Sequence, residues 1–116
     1  MTFSSLTAIS PVDGRYQGKT QELQTYFSEF GLIRYRVIVE VEYFIAMVES
    51  GVTPLQSFPK EKYSALRSVC THFSEEDAQW IKDIEKVTNH DVKAVEYFVK
   101  EKMRELGLSD YLEFVH

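Results

Sequence analysis

The sequence predicts an all-α protein, with about five helices in a compact cluster. Three observations carry this reading. Apolar residues recur at steps of three and four along several stretches, the period of one helix face. A sharp polar break, Thr88-Asn89-His90-Asp91, divides two of those stretches. Gly51 and Gly107 each follow a periodic stretch where a helix would stop.

The bulk numbers narrow the class. A chain of 116 residues is long enough for one domain with one core, so residues 1–116 are read as a single helical domain. Charged residues are plentiful but mixed in sign, which argues against disorder. The net charge of −5 argues against a general nucleic-acid or membrane binder, which needs a basic face. A locally positive pocket for a small anion remains compatible with it. The single cysteine, Cys70, rules out an internal disulfide and lies on an apolar stripe, so a buried thiol is expected. No apolar run approaches the roughly 18 residues of a membrane span. The first residues lack a basic stretch followed by an apolar one, so no signal peptide is expected and a cytoplasmic location is.

In chain order, Phe3, Leu6 and Ile9 are spaced by three and allow either a helical turn or a packed arm. Pro11 and Asp13-Gly14 then dictate a turn. It presents Arg15 and Tyr16, which read either as a surface turn whose tyrosine packs back, or as a pair offered to phosphate or carboxylate. Gln17 to Tyr26 reads as a short helix. A long helix follows from a Ser28 cap to about Val48, with Phe30, Ile33, Val37, Val41, Phe44 and Val48 on one face. Arg34, Arg36, Glu40, Glu42 and Glu49 fall on its other faces. Pro59 suits the first turn of the next helix, whose buried stripe is Tyr63, Leu66, Cys70 and Phe73. His72, near its end, reads as a surface or capping group.

The next two helices carry the polar break. Ser74 and Asp77 have capping-box spacing at the first helix, and Ala78, Ile81, Ile84 and Val87 form its stripe. Thr88 and Asp91 repeat that spacing, and Val92, Val95, Val99 and Met103 follow. A cap accounts for Thr88 and Asp91. It leaves Asn89 and His90 over, and free N–H groups at a helix start make a ready anion site. From the residues alone, plain cap and ligand site stay open. Glycine-rich phosphate loops, CxxC, HExxH and EF-hand patterns are absent from the sequence. His90-Asp91 lacks the further ligands a metal hydrolase needs, so no metal is expected. Ser109 to His116 opens a last apolar pattern.

Two stretches are specific enough to carry a family resemblance. They are Ser4-Ser5-Leu6-Thr7-Ala8-Ile9-Ser10-Pro11-Val12-Asp13-Gly14-Arg15-Tyr16 and Thr88-Asn89-His90-Asp91-Val92-Lys93-Ala94-Val95-Glu96-Tyr97-Phe98. Both closely resemble the adenylosuccinate lyase family, in its bacterial branch, within the fumarase/aspartase superfamily. Phe27-Ser28-Glu29-Phe30-Gly31-Leu32 and Phe73-Ser74-Glu75-Glu76-Asp77 fit it too. The resemblance implies cleavage of adenylosuccinate to AMP and fumarate, and of the succinyl-carboxamide intermediate of purine biosynthesis (SAICAR) to AICAR and fumarate. It implies a homotetramer, no cofactor, and active sites shared between subunits. Arg15 and Tyr16 match the substrate-contacting pair, Asn89, His90 and Asp91 the substrate-binding segment, and His116 a histidine close to phosphate.

The chain departs from the family in length. It stops before the family's Thr-Ser substrate pair, the general-acid histidine, the mobile Gly-Ser-Ser loop with its serine base, and the central bundle. It therefore looks like the N-terminal domain only. It is expected to hold no catalytic residue beyond a supporting role for His90, and to be inactive alone. The rival reading is a stand-alone helical interaction module without catalysis.

Overall fold

The computed structural model describes residues 2–115. It is all-α: no strand occurs among the described residues. The chain divides into two compact units, Met1–Leu32 and Ile33–His116.

The first unit consists of tight turns and two single-turn helices, α1 (Gln17–Thr20) and α2 (Gln24–Phe27), joined by a 3-10 turn at Gln21–Leu23. The expected short helix over 17–26 is thus broken. Thr20 explains the break: its hydroxyl lies within 3.4 Å of the Val12, Tyr16 and Gln17 carbonyls. Such local bonding competes with the helical ladder. Phe3, Leu6 and Ile9 are exposed, so the packed-arm reading gives way to a turn stabilised by Ser4 and Thr7. Ser28 caps the long helix as expected, its hydroxyl accepting from the Gly31 N–H at 3.0 Å.

The second unit begins inside that helix, α3 (Glu29–Glu49), and continues through α4 (Tyr63–Thr71), α5 (Glu75–Thr88) and α6 (Asp91–Glu105) to a 3-10 stretch at Ser109–Phe114. Ile33, Val37, Val41, Phe44, Ile45 and Val48 of α3 are buried. At about 100° per residue, Tyr35, Val39 and Tyr43 fall on the opposite side, and they are 40%, 64% and 57% exposed. The helix is therefore apolar on two faces, whereas its sequence reads most simply as one broad stripe.

Pro59 precedes a 3-10 turn, Lys60–Lys62, rather than opening α4 itself. Leu66 and Phe73 are buried, and Phe73 lies just past α4. His72 ends α4 as a capping group, its Nδ1 2.9 Å from the Ser68 hydroxyl. The Ser74–Asp77 capping box forms with both of its bonds, at 3.2 and 3.0 Å. α5 and α6 then pack against each other, with Phe98 at the centre of edge-to-face contacts to Phe73 and Trp80. Val87, last in the α5 stripe, is exposed: at about 100° per residue each three-residue step falls short of a full turn, so nine residues on from Ala78 it has drifted to the opposite side of the helix.

Cys70 is half-buried, and burial pushes its thiol up to about 11. The thiolate is the reactive form, so at pH 8 about a hundredfold less of it is present than in an exposed cysteine. Labelling by a maleimide or an aromatic disulfide is expected to be slower by about that factor in the folded chain than in urea. Equal rates would refute the assignment.

Candidate functional site

The α5–α6 turn is built differently from its sequence signature. α5 absorbs Thr88, whose hydroxyl lies 3.2 Å from the Ile84 carbonyl and 3.3 Å from that of His90. Asn89 ends the helix in the left-handed region at φ 55°, its N–H donating to Glu85 at 2.7 Å. Asparagine is among the few residues that tolerate this conformation. His90 then turns extended and serves as the N-cap of α6: its Nδ1 accepts from the Lys93 N–H at 3.3 Å. The Thr88–Asp91 capping box expected from spacing does not form. The cap sits two residues later because Thr88 is spent on the end of α5. Asn89 and His90, the residues a cap seemed to leave over, are the two that shape the turn.

That cap fixes the chemistry of the imidazole. A ring nitrogen that accepts an N–H carries no proton, so the neutral ring carries its proton on Nε2. His90 is exposed, so Nε2–H is available as a donor. Asp91 is the first residue of α6. Its Oδ1 accepts from the Val92 N–H at 2.8 Å, and its Oδ2 from Arg36 Nη1 at 3.0 Å. The Val92 N–H first, and then the Arg36 guanidinium, hold the Asp91 carboxyl below its ordinary value. Arg36, on α3, is a neighbour of the turn that the sequence does not reveal. Nothing in the spacing of the sequence links it to Asp91, 55 positions away.

Arg15 and Tyr16 belong to the first unit. The Ser10 carbonyl accepts from Asp13 and Gly14, and the Pro11 carbonyl from Gly14 and Tyr16, giving two overlapping turns. Gly14 is required there, since a Cβ would sit 2.6 Å from the Ser5 carbonyl oxygen. The turn leaves Tyr16 41% exposed rather than packed back. The Arg15 guanidinium lies over its ring, 5.2 Å from the centroid, an arrangement that orients a cation without consuming its donors. His116 lies outside the described residues. Among those residues, no cluster of His, Cys, Asp or Glu has the geometry to hold a metal ion, and no helix is long and apolar enough to cross a membrane.

Comparison with known proteins gives this turn and loop a context. No protein-family profile matches the chain. The adenylosuccinate lyase of Dictyostelium discoideum is 56% identical over 117 residues, covering 97% of this chain and 25% of that protein. Those of Escherichia coli K12 and Haemophilus influenzae are 48% and 47% identical over 118 residues, covering 100% of the chain and 26% of each protein. The chain spans about a quarter of the length of the relatives it matches. This protein is, over its whole length, similar to the N-terminal part of adenylosuccinate lyase.

Proposed function

We propose that this chain is the substrate-binding N-terminal part of a carbon–nitrogen lyase that eliminates fumarate from adenylosuccinate and from SAICAR. The observation that carries the reading is identity of 42–56% across essentially the whole chain, both motifs included. In such an elimination a base removes the proton beside a carboxylate, and an acid protonates the departing nitrogen. Negative charge grows on that carboxylate, so donors already in place lower the barrier. His90 Nε2–H is one such donor, fixed by its cap. Asn89 and Asp91 flank it in the same turn. Arg15, steadied over Tyr16, suits the substrate phosphate, and His116 is assigned to the same end of the substrate.

The acid and the base are assigned to the part of a lyase that this chain does not span. The reading includes a cytoplasmic homotetramer with composite active sites, and no cofactor. It also means that the 116-residue chain does not turn over substrate alone. The test is fumarate release, followed in the ultraviolet, from adenylosuccinate. A lyase-length protein carrying this sequence is expected to release it continuously, and the purified chain to release none. Repeated turnover by the chain, free of host enzyme, would overturn the division of labour. An inactive lyase-length protein would overturn the lyase reading itself and favour the interaction module.

A further inference from the structure

We propose that Arg36 is a positioning residue for the candidate site, holding Asp91 and through it the His90 imidazole. The inference rests on the lyase reading of the 88–91 turn. Asn89, His90 and Asp91 are all exposed, so little packing fixes the turn. Its backbone is held by the Asn89 N–H on Glu85 and by the Thr88 hydroxyl on the His90 carbonyl, and the side chains of Asp91 and His90 are held by a short relay of bonds. Arg36 Nη1 donates to Asp91 Oδ2 at 3.0 Å, while Asp91 Oδ1 accepts from Val92 at 2.8 Å. With both oxygens engaged, the carboxylate is held in one orientation at the first residue of α6. The next free N–H of that turn, from Lys93, is the one that holds His90 Nδ1 at 3.3 Å.

The last bond is long, so the ring direction depends on where the first turn of α6 sits. Arg36 is 30% exposed at its side chain and stands on α3, whose opposite side lies in the core. It thus ties an exposed turn to a rigid element, which is how a reacting geometry is kept within a fraction of an ångström. Removing it leaves the helices intact and loosens the donor.

The test compares Arg36→Met and Arg36→Lys in a lyase-length protein, with Arg67→Met as control. Arg67 makes the tighter ion pair, two bonds of 2.9 and 3.1 Å to Glu42, but it joins α4 to α3 and leaves residues 88–91 out. Arg36→Met is expected to lower kcat roughly ten- to a hundredfold with KM changed less than threefold. Arg36→Lys, which keeps the charge, is expected to recover at least part of that loss. The 15N signals of the His90 ring in the isolated chain are expected to move from the single Nε2–H form toward a mixture of tautomers in Arg36→Met only. Wild-type activity with an unchanged Arg36→Met, or an equal loss in Arg67→Met, would overturn the role of Arg36. Unmoved ring signals would overturn it as well. A wild-type protein with no lyase activity would instead overturn the functional reading beneath it.

Discussion

In a lyase-length protein carrying this chain, His90→Ala is expected to lower fumarate release at least about a hundredfold, with assembly unchanged. The magnitude is that of removing one preorganised donor from a developing negative charge. The residue has a second role, because His90 Nδ1 caps α6. An alanine there removes the cap too, at a cost of about 1 kcal/mol. That loss alone loosens the turn and lowers activity indirectly. The alanine variant therefore cannot separate the two roles.

His90→Asn separates them. Asparagine is among the best N-caps, and its side-chain oxygen accepts the same kind of bond that Nδ1 accepts. It keeps the cap but has nothing at the reach of Nε2. Thermal stability is expected to match wild type in His90→Asn and to fall in His90→Ala, while kcat falls in both. An asparagine variant with wild-type kcat would reduce His90 to a helix cap. The Asn89, Asp91, Arg15 and Tyr16 assignments would then rest on resemblance alone.

The turn also shows how far local reading reaches. The Ser74–Asp77 box forms where spacing puts it, because α4 has already ended at Thr71 and its C-cap His72, which leaves Ser74 extended with its hydroxyl free for the Asp77 N–H. Thr88–Asp91 has the same spacing and fails, because α5 is still running at Thr88 and ends only when Asn89 turns left-handed. Spacing records which residues could bond. It does not record which neighbour has already taken the hydroxyl. A histidine cap carries no sequence signal either, since histidine is not among the favoured N-cap types. The α3 helix teaches a related point. Its period is plain, yet one periodic stripe suffices to predict a helix and says nothing of Tyr35, Val39 and Tyr43 on the opposite side. Arg36–Asp91 is a tertiary pairing and has no local trace at all. Arg15 and Tyr16 look like ordinary turn residues in isolation, and only the family motif singles them out.

The second large effect concerns the core that carries the turn. Phe58→Ala is expected to cost about 3–5 kcal/mol, out of the roughly 5–15 kcal/mol that hold a domain folded. Phe58 lies outside any helix and is 4% exposed. Its ring is the hub of an aromatic cluster. It meets Phe44 of α3 edge-on at 5.2 Å, stacks on Tyr63 of α4 at 5.9 Å, and meets Tyr111 edge-on at 5.0 Å. Tyr111 in turn donates to the Ser57 carbonyl at 3.1 Å, closing the cluster on the neighbouring backbone. Three segments distant in sequence thus depend on one side chain from a connecting loop.

Phe58→Leu keeps most of the buried volume and loses the ring geometry, so about 1–2 kcal/mol is expected. Tyr43→Ala, on the exposed face of α3, is expected to stay within about 0.5 kcal/mol of wild type. Urea melts of the chain distinguish the three by midpoint at constant slope. A midpoint for Phe58→Ala indistinguishable from Tyr43→Ala would mean that the cluster does not hold α3 to α4. In that case α3, and Arg36 on it, would offer no rigid support to the 88–91 turn.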